Sequence, residues 1–482
     1  MTDALDPEDW DEARTLGHRM IDDMIDYLST VRERPAWRPM PQEARDALTE
    51  PAPQGETPLA DVYEAFRDHI LPYPTGNQHP GFFGWVMGNG TVTGMFADML
   101  ASGLNPHLAG YDQSASHIER QVIAWLADYL GFPADASGVL VSGGTMANLN
   151  GLAVARTEKA GYDIRKQGLQ TDGAPRLTVY GGAQTHSWIN KACELMGLGT
   201  NAFRAAPVND AFEIDVAACR AQIRADIDAG LKPFCLIATA GTVNTGAVDD
   251  IAALRQLADE FDLWLHVDGA FGSLAALAPG AKTLVAAQAS ADSIAFDLHK
   301  WGYMPYEVGC VLVCDPGAQR AAFEQQSAYL TSVGGLATDA TYFSDRGLQL
   351  SRGFRALKVW MSLKEQGAQK LGRLIQRNID QAAALASMVR ADPAFSLAAP
   401  APLNIVCFRY APEGVNEADL DALNKALLVA IQKSGVAVPS HTIIDGRFAI
   451  RVCITNHRTT DADLDRLMET ARRLGDEIAA AY

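Results

Sequence analysis

The sequence predicts an α/β protein built on a mostly parallel sheet with helices on both faces, with a helical arm before it and a smaller α+β domain after it. Three observations lead to this expectation. Between about Gly138 and Val313 short apolar runs alternate with helical stretches; an early segment carries one helix-period apolar face; and beyond about residue 376 helices interleave with only a few strands. Strands separated by helices can align in parallel, and their crossovers then cover the sheet on both faces.

In chain order, Leu16, Met20, Ile21, Met24, Ile25, Leu28 and Val31 recur at the spacing of one helix face, and the pattern stops in the proline-rich "ERPAWRPMP". Residues 1–85 are therefore expected to form an N-terminal helical arm, 86–375 a large α/β domain and 376–482 a small α+β domain. Within the large domain "GVLVSGG" precedes "TMANLNGLAVAR", "RLTVYGG" precedes "SWINKACELMG", and "FCLIATAGT" precedes "DIAALRQLADEF". The runs "LWLHVDGA", "SIAFDLHKW" and "GCVLVCD" follow as strands, and "NIVCFRY" and "RFAIRVCIT" supply the small domain.

At 482 residues, 48% hydrophobic and 20% charged, the chain can bury more than one core. A formal charge of −18 opposes nucleic acid or an anionic membrane surface as the main partner, because both need a concentrated basic face. The acidic start "MTDALDPEDWDEARTLGHRM" is unlike a signal peptide, and no run approaches the roughly 18 apolar residues of a membrane span, so a cytoplasmic location is expected. Seven scattered cysteines lack CxxC pairs and zinc-type histidine spacing; they read as reduced structural thiols, with no metal site.

In a sheet of this kind ligands gather at the carboxyl ends of the strands, where the polar residues accumulate here. Ser142, Gly143, Gly144 and Thr145 lie between a strand and a helix, a geometry that suits a phosphate, although such glycines often serve only the turn. Asp268 ends an apolar strand, where it can face a ligand or cap the next helix. Lys300, thirty-two residues on, follows His299 at the end of "SIAFDLHKW"; desolvation there would lower its amine pKa and favour a Schiff base with an aldehyde. The plainer alternative is a snorkelling lysine. His186 opens another helix just after a strand, where a lone histidine is commonly structural. Together they supply a phosphate cradle, an acid, an imidazole and a Schiff-base lysine, the four requirements of pyridoxal 5′-phosphate (PLP).

The segments "HVDGAFGS", "ADSIAFDLHKWGYMPYEVGCVLV", "HPGFFGW", "FADML", "SRGFRALKVWMSLKEQG" and "RVCITNHRTT" resemble the group II PLP-dependent decarboxylases, a fold-type I family that includes aromatic-L-amino-acid decarboxylase. The resemblance runs from about residue 10 to the C-terminus. It implies a seven-stranded-type sheet, a homodimer with its active site at the interface, and N-terminal helices that wrap the partner. It further implies that Lys300 binds the cofactor aldehyde, Asp268 pairs with the pyridine nitrogen, and His186 stacks on the ring. Gly144 and Thr145 match phosphate-binding positions, and Thr242, Asp297 and His299 match further pocket positions. Tyr329, in the Gly- and Thr-rich stretch 325–344, matches the tyrosine thought to protonate Cα, which favours decarboxylation over oxidative deamination.

Some positions depart from the family pattern. Val243 stands where relatives often carry a hydroxyl, and Trp85, Val86 and Met87 stand where a different set lines the substrate pocket. His107 and Ala109 replace larger apolar residues. The expected reaction is decarboxylation of an L-amino acid, aromatic in preference, with Trp85, Val86 and His107 as substrate contacts. The alternatives are an aldehyde synthase, a decarboxylase of an acidic or aliphatic amino acid, and, remotely, a catalytically silent binding protein of the same fold.

Overall fold

A computed structural model describes residues 4–325, 335–337 and 342–480 of the chain. Its strands are β1 (Phe82–Phe83), β2 (Ser137–Val141), β3 (Leu177–Gly182), β4 (Phe203–Ala206), β5 (Lys232–Thr239), β6 (Trp264–Asp268), β7 (Ser293–Asp297), β8 (Gly309–Val313), β9 (Phe395–Leu397), β10 (Ile405–Tyr410), β11 (Val438–Ile444) and β12 (Arg447–Cys453).

The large sheet has seven strands in the order β2-β8-β7-β6-β5-β3-β4. β3 to β7 pair in parallel, while β8 runs antiparallel to both β2 and β7. Six strands therefore end at one edge, and only β8 starts there. β2, β6, β7 and β8 are buried at every residue, which explains their unbroken apolar runs: helices cover both faces, and no face is left to be polar. The edge strand β4 is the one the sequence pattern does not reveal, because "FRAA" is short and half-exposed.

The second sheet, β1-β11-β12-β10-β9, carries its own core, including Phe83, Val406, Phe408, Ile450 and Leu467. β1 pairs in parallel with β11, Phe82 opposite Val438, so the chain leaving the N-terminal arm is stitched into the C-terminal domain. The expected break at 375/376 falls inside Arg355–Ala391, which is helical on either side of Gly367, where φ is 68°.

The predicted N-terminal helix is Trp10–Ser29, capped by Asp9, whose carboxylate accepts the N–H groups of Asp11 and Glu12. Asp23 holds it to the helix Leu59–Ala65 through the Tyr63 hydroxyl at 2.7 Å. Leu28 and Val31 are buried, but Met20, Ile21 and Met24 border an open groove with Met95, Phe96 and Met99 of the helix Val92–Leu104. Among the described residues no helix is long and apolar enough to cross a membrane. All seven cysteines are unpaired, and six are buried.

Candidate active site

At the carboxyl edge of the large sheet lies a cleft of about 550 Å³, walled on its far side by Trp85, Val86 and Met87 as the chain leaves β1. Ser142, Gly143, Gly144 and Thr145 line it, together with His186, Asp268, Asp297, His299 and Lys300. Residues from four strand ends thus converge, because parallel strands bring their carboxyl ends to one side.

Asp268 closes the buried strand β6 and is 3% exposed. Its Oδ1 accepts the Ala270 N–H at 3.1 Å and its Oδ2 accepts the indole N–H of Trp188 at 2.6 Å. His186 precedes the helix Trp188–Leu195, and its Nδ1 accepts the Trp188 backbone N–H at 3.2 Å, which leaves the proton of the neutral ring on Nε2. Although the ring is open to the cleft, partial desolvation by the surrounding walls lowers its pKa. The positive charges of Lys300 and Lys191 act in the same direction, against Asp268 and Asp297.

Two expectations about Lys300 are corrected. β7 ends at Asp297, not at the lysine: the N–H groups of Leu298 and His299 both turn back to the Val308 carbonyl, at 3.1 and 3.2 Å, and Lys300 sits on the turn beyond. Its amine pKa also moves up rather than down. Desolvation alone would lower it, but Asp297 Oδ2 lies 2.9 Å from Nζ, and the charge and hydrogen bond of that carboxylate, aided by Asp268, outweigh the burial. His299 Nε2 lies 3.7 Å from the same oxygen, its Nδ1 accepts the Val308 N–H at 3.1 Å, and its ring packs against that of Tyr306, with centroids 4.4 Å apart and planes tilted by 36°. Asp297 Oδ1 is buried with no hydrogen-bond partner among the described residues.

Directly beside Asp297 and His299 starts the helix Gly144–Lys159, whose N-terminus has no side-chain cap and opens onto the cleft. Unpaired N–H groups there suit an anion. A Cβ on Gly144 would lie 2.9 Å from Asp297 Oδ2, and one on Gly143 would lie 3.0 Å from the His299 ring, so only glycine lets this turn approach so closely. Asn148 fixes the turn: its Nδ2 donates to the Gly144 carbonyl at 2.8 Å, and its Oδ1 accepts from His266 Nε2 at 2.8 Å. His266 Nδ1 then accepts from the Ser293 hydroxyl at 2.7 Å, and Ser293 accepts the Trp264 indole N–H at 2.8 Å. Complete burial lowers the His266 pKa to about 4, so the ring is neutral.

Not every expected site residue reaches the cleft. The Thr242 hydroxyl is turned into its own loop, accepting the Ala247 N–H at 3.1 Å and meeting Thr245 Oγ1 at 2.9 Å, while its neighbours Gly241 and Val243 line the cleft. His107 is exposed, accepts the Ala109 N–H at 3.2 Å and faces Tyr111, outside this chain's cleft. Tyr329 lies outside the described residues.

Sequence reasoning missed Trp188, Tyr306, His266 and Arg451. Two of these left a signal. His266 is two residues before Asp268 on one strand, so it leaves the same face, and Arg451 is the one charge inside the apolar run "FAIRVCI". The buried Arg451 donates to the carbonyls of Val243 and Trp85, both at 2.8 Å.

The donor set fits PLP. An uncapped helix end could take a phosphate, a buried carboxylate a protonated ring nitrogen, an exposed imidazole in the same cleft a ring face, and an amine in that cleft an aldehyde.

Residues 41–411 match the family model described as the pyridoxal-dependent decarboxylase conserved domain. The chain is 33% identical to the aromatic-L-amino-acid decarboxylase of Bacillus atrophaeus, over 98% of this chain and 97% of that protein. It is 29% identical to the phenylacetaldehyde synthase of a Rosa hybrid cultivar, over 94% and 91%. Among solved structures, Oryza sativa TDC with PLP and tryptamine superposes with a TM-score of 0.91 at 27% identity, covering 98% of this chain and all of that one.

Proposed function

The chain belongs to the pyridoxal-dependent decarboxylase family, a PLP-dependent carboxy-lyase fold, and from that premise we propose that it removes CO₂ from an aromatic L-amino acid as a homodimer. The observation that carries the proposal is the convergence of Lys300, Asp268 and His186 on one cleft whose far wall is Trp85, Val86 and Met87. PLP held there supplies the electron sink for the Cα–carboxylate bond.

The chain's residues do the rest. Lys300 would supply the amine for the cofactor aldehyde, and Asp297, 2.9 Å away, orients it and can accept the ammonium proton that must leave before the amine adds. Asp268 accepts the ring nitrogen's proton in a hydrogen bond, and neutral His186 covers the ring face without adding charge. Gly144 and Thr145, at the helix start, hold the phosphate. His299 packs behind Lys300 against Tyr306. Tyr329, by resemblance, returns a proton to Cα. Trp85, Val86 and Met87 offer an apolar side-chain pocket, and Trp85, 53% exposed, leaves indole surface open to an aromatic ring.

The buried Arg451 guanidinium meets the carbonyls of Val243, Asn244 and Trp85, the Ser440 hydroxyl and the Cys453 thiol; it is not among the residues that line the cleft, so it offers an acidic substrate side chain no open partner.

The test is CO₂ release by the PLP-loaded protein across a panel of L-amino acids, with amine, aldehyde and ammonia measured. Turnover of tryptophan, tyrosine or phenylalanine to the amine is expected, with none in Lys300→Ala. Release from glutamate or aspartate alone would replace the aromatic reading by the acidic one. Full turnover in Lys300→Ala would sink both.

A further inference from the structure

We propose that Trp188 is a positioning residue for the cofactor ring, holding the Asp268 carboxylate with its indole N–H and the His186 imidazole with its backbone N–H. The group that would meet the ring nitrogen and the group that would meet the ring face are thereby set by one amino acid. The inference rests on Asp268 as partner of the ring nitrogen.

Three observations support it. The indole N–H donates to Asp268 Oδ2 at 2.6 Å, and among the described residues no other side chain donates to that carboxylate. The Trp188 backbone N–H reaches His186 Nδ1 at 3.2 Å, which selects the tautomer with its proton on Nε2. The indole cannot swing away: it is 2% exposed and meets the His266 ring edge-on at 6.1 Å, and His266 is itself pinned by Asn148 and Ser293.

The chemical consequence concerns the proton that Asp268 and the ring nitrogen share. A hydrogen bond donated to a carboxylate stabilises its ionised form. With the indole N–H on Oδ2, the carboxylate is held as an acceptor toward the cleft, so the proton shared with a ring nitrogen would stay on the nitrogen, the form in which the ring accepts electrons. Ala270 donates to the other oxygen, so the carboxylate plane is also fixed.

The test compares Trp188→Phe, which removes the N–H and keeps an aromatic ring, with Trp188→His, which restores a ring N–H. Each is loaded with PLP labelled with ¹⁵N in the ring. In Trp188→Phe the ¹⁵N signal is expected to move toward that of unprotonated pyridine, and PLP binding to weaken on the order of tenfold, the size of a lost charge-assisted hydrogen bond. Trp188→His is expected to recover part of both. Purely structural packing would lower the melting temperature of the PLP-free protein in both variants and leave the ¹⁵N signal unmoved, and that result overturns the proposal. A wild-type protein whose PLP cannot be fixed to Lys300 by borohydride would instead overturn the site assignment beneath it.

Discussion

His266 and Asp268 leave β6 on the same face, two residues apart, and the sheet treats them differently. Asp268 opens onto the cleft, while His266 is sealed beneath it between Asn148 and Ser293. The sealed ring has a folded-state pKa of about 4 against an ordinary value of 6.5, because burial penalises its charged form. As pH falls below 6.5 the unfolded chain takes up a proton that the folded chain refuses, so stability is lost progressively down to about pH 4 and is fully present above 6.5. The loss attributable to this ring is on the order of 3 kcal/mol. His266→Gln is expected to flatten that part of the profile. Urea unfolding of both proteins at pH 7 and pH 4.5 measures it, and an equal loss in both would show that another group is responsible. The residues that sequence made legible, Asp268, Lys300 and His186, stand at the end of a strand or in the turn just after one. The raised pKa of Lys300 was not legible, because it depends on Asp297 folding back across a turn to 2.9 Å.

The helix Gly144–Lys159 shows what an element must satisfy to place a site. Gly144, Asn148, Gly151 and Ala155 recur on one buried face, which lies against the sheet. Gly151 is small because His266 is there: an added Cβ would come within 2.4 Å of Cε1 and 2.7 Å of Nδ1. Gly151→Ala must therefore displace the imidazole, break its bond to Asn148 and loosen the turn at Gly144. A loss of about 1–3 kcal/mol is expected from overpacking of this kind. Denaturation midpoints and PLP affinity should fall together; an unchanged midpoint would mean that the helix can shift away from β6. The pattern of this helix was readable in sequence because its period and its flanking strand are local. β1 was not, since two phenylalanines become a strand only by pairing with β11, more than 350 residues away. β4 escaped for a related reason, its half-exposed edge position removing the apolar run that marked the others.

At the scale of the whole molecule the N-terminal helix raises the question of what covers its open apolar groove. Met20, Ile21 and Met24 face Met95, Phe96 and Met99, and nearby Leu100 and Leu104 are 47% and 69% exposed, a patch of a kind that monomers seldom leave to water. A second copy of the chain would cover it, and in such a dimer, if the family resemblance holds for this position, Tyr329 of one subunit would serve the site built on Lys300 of the other. His107, outside its own chain's cleft, would then be available to its partner's. A complementation experiment tests the shared site directly. Lys300→Ala lacks the amine and Tyr329→Phe lacks the proton donor, so each alone should form little amine. If the subunits exchange, half of the dimers are mixed, and each mixed dimer holds one site with both groups intact, so amine formation should recover to roughly one quarter of the wild-type rate. If each chain completes its own site, no mixed dimer holds an intact one, and the mixture stays as inactive as its parents. Sedimentation of the wild type at twice 51.8 kDa, and of Met99→Asp at a lower mass with reduced turnover, would tie that recovery to this groove.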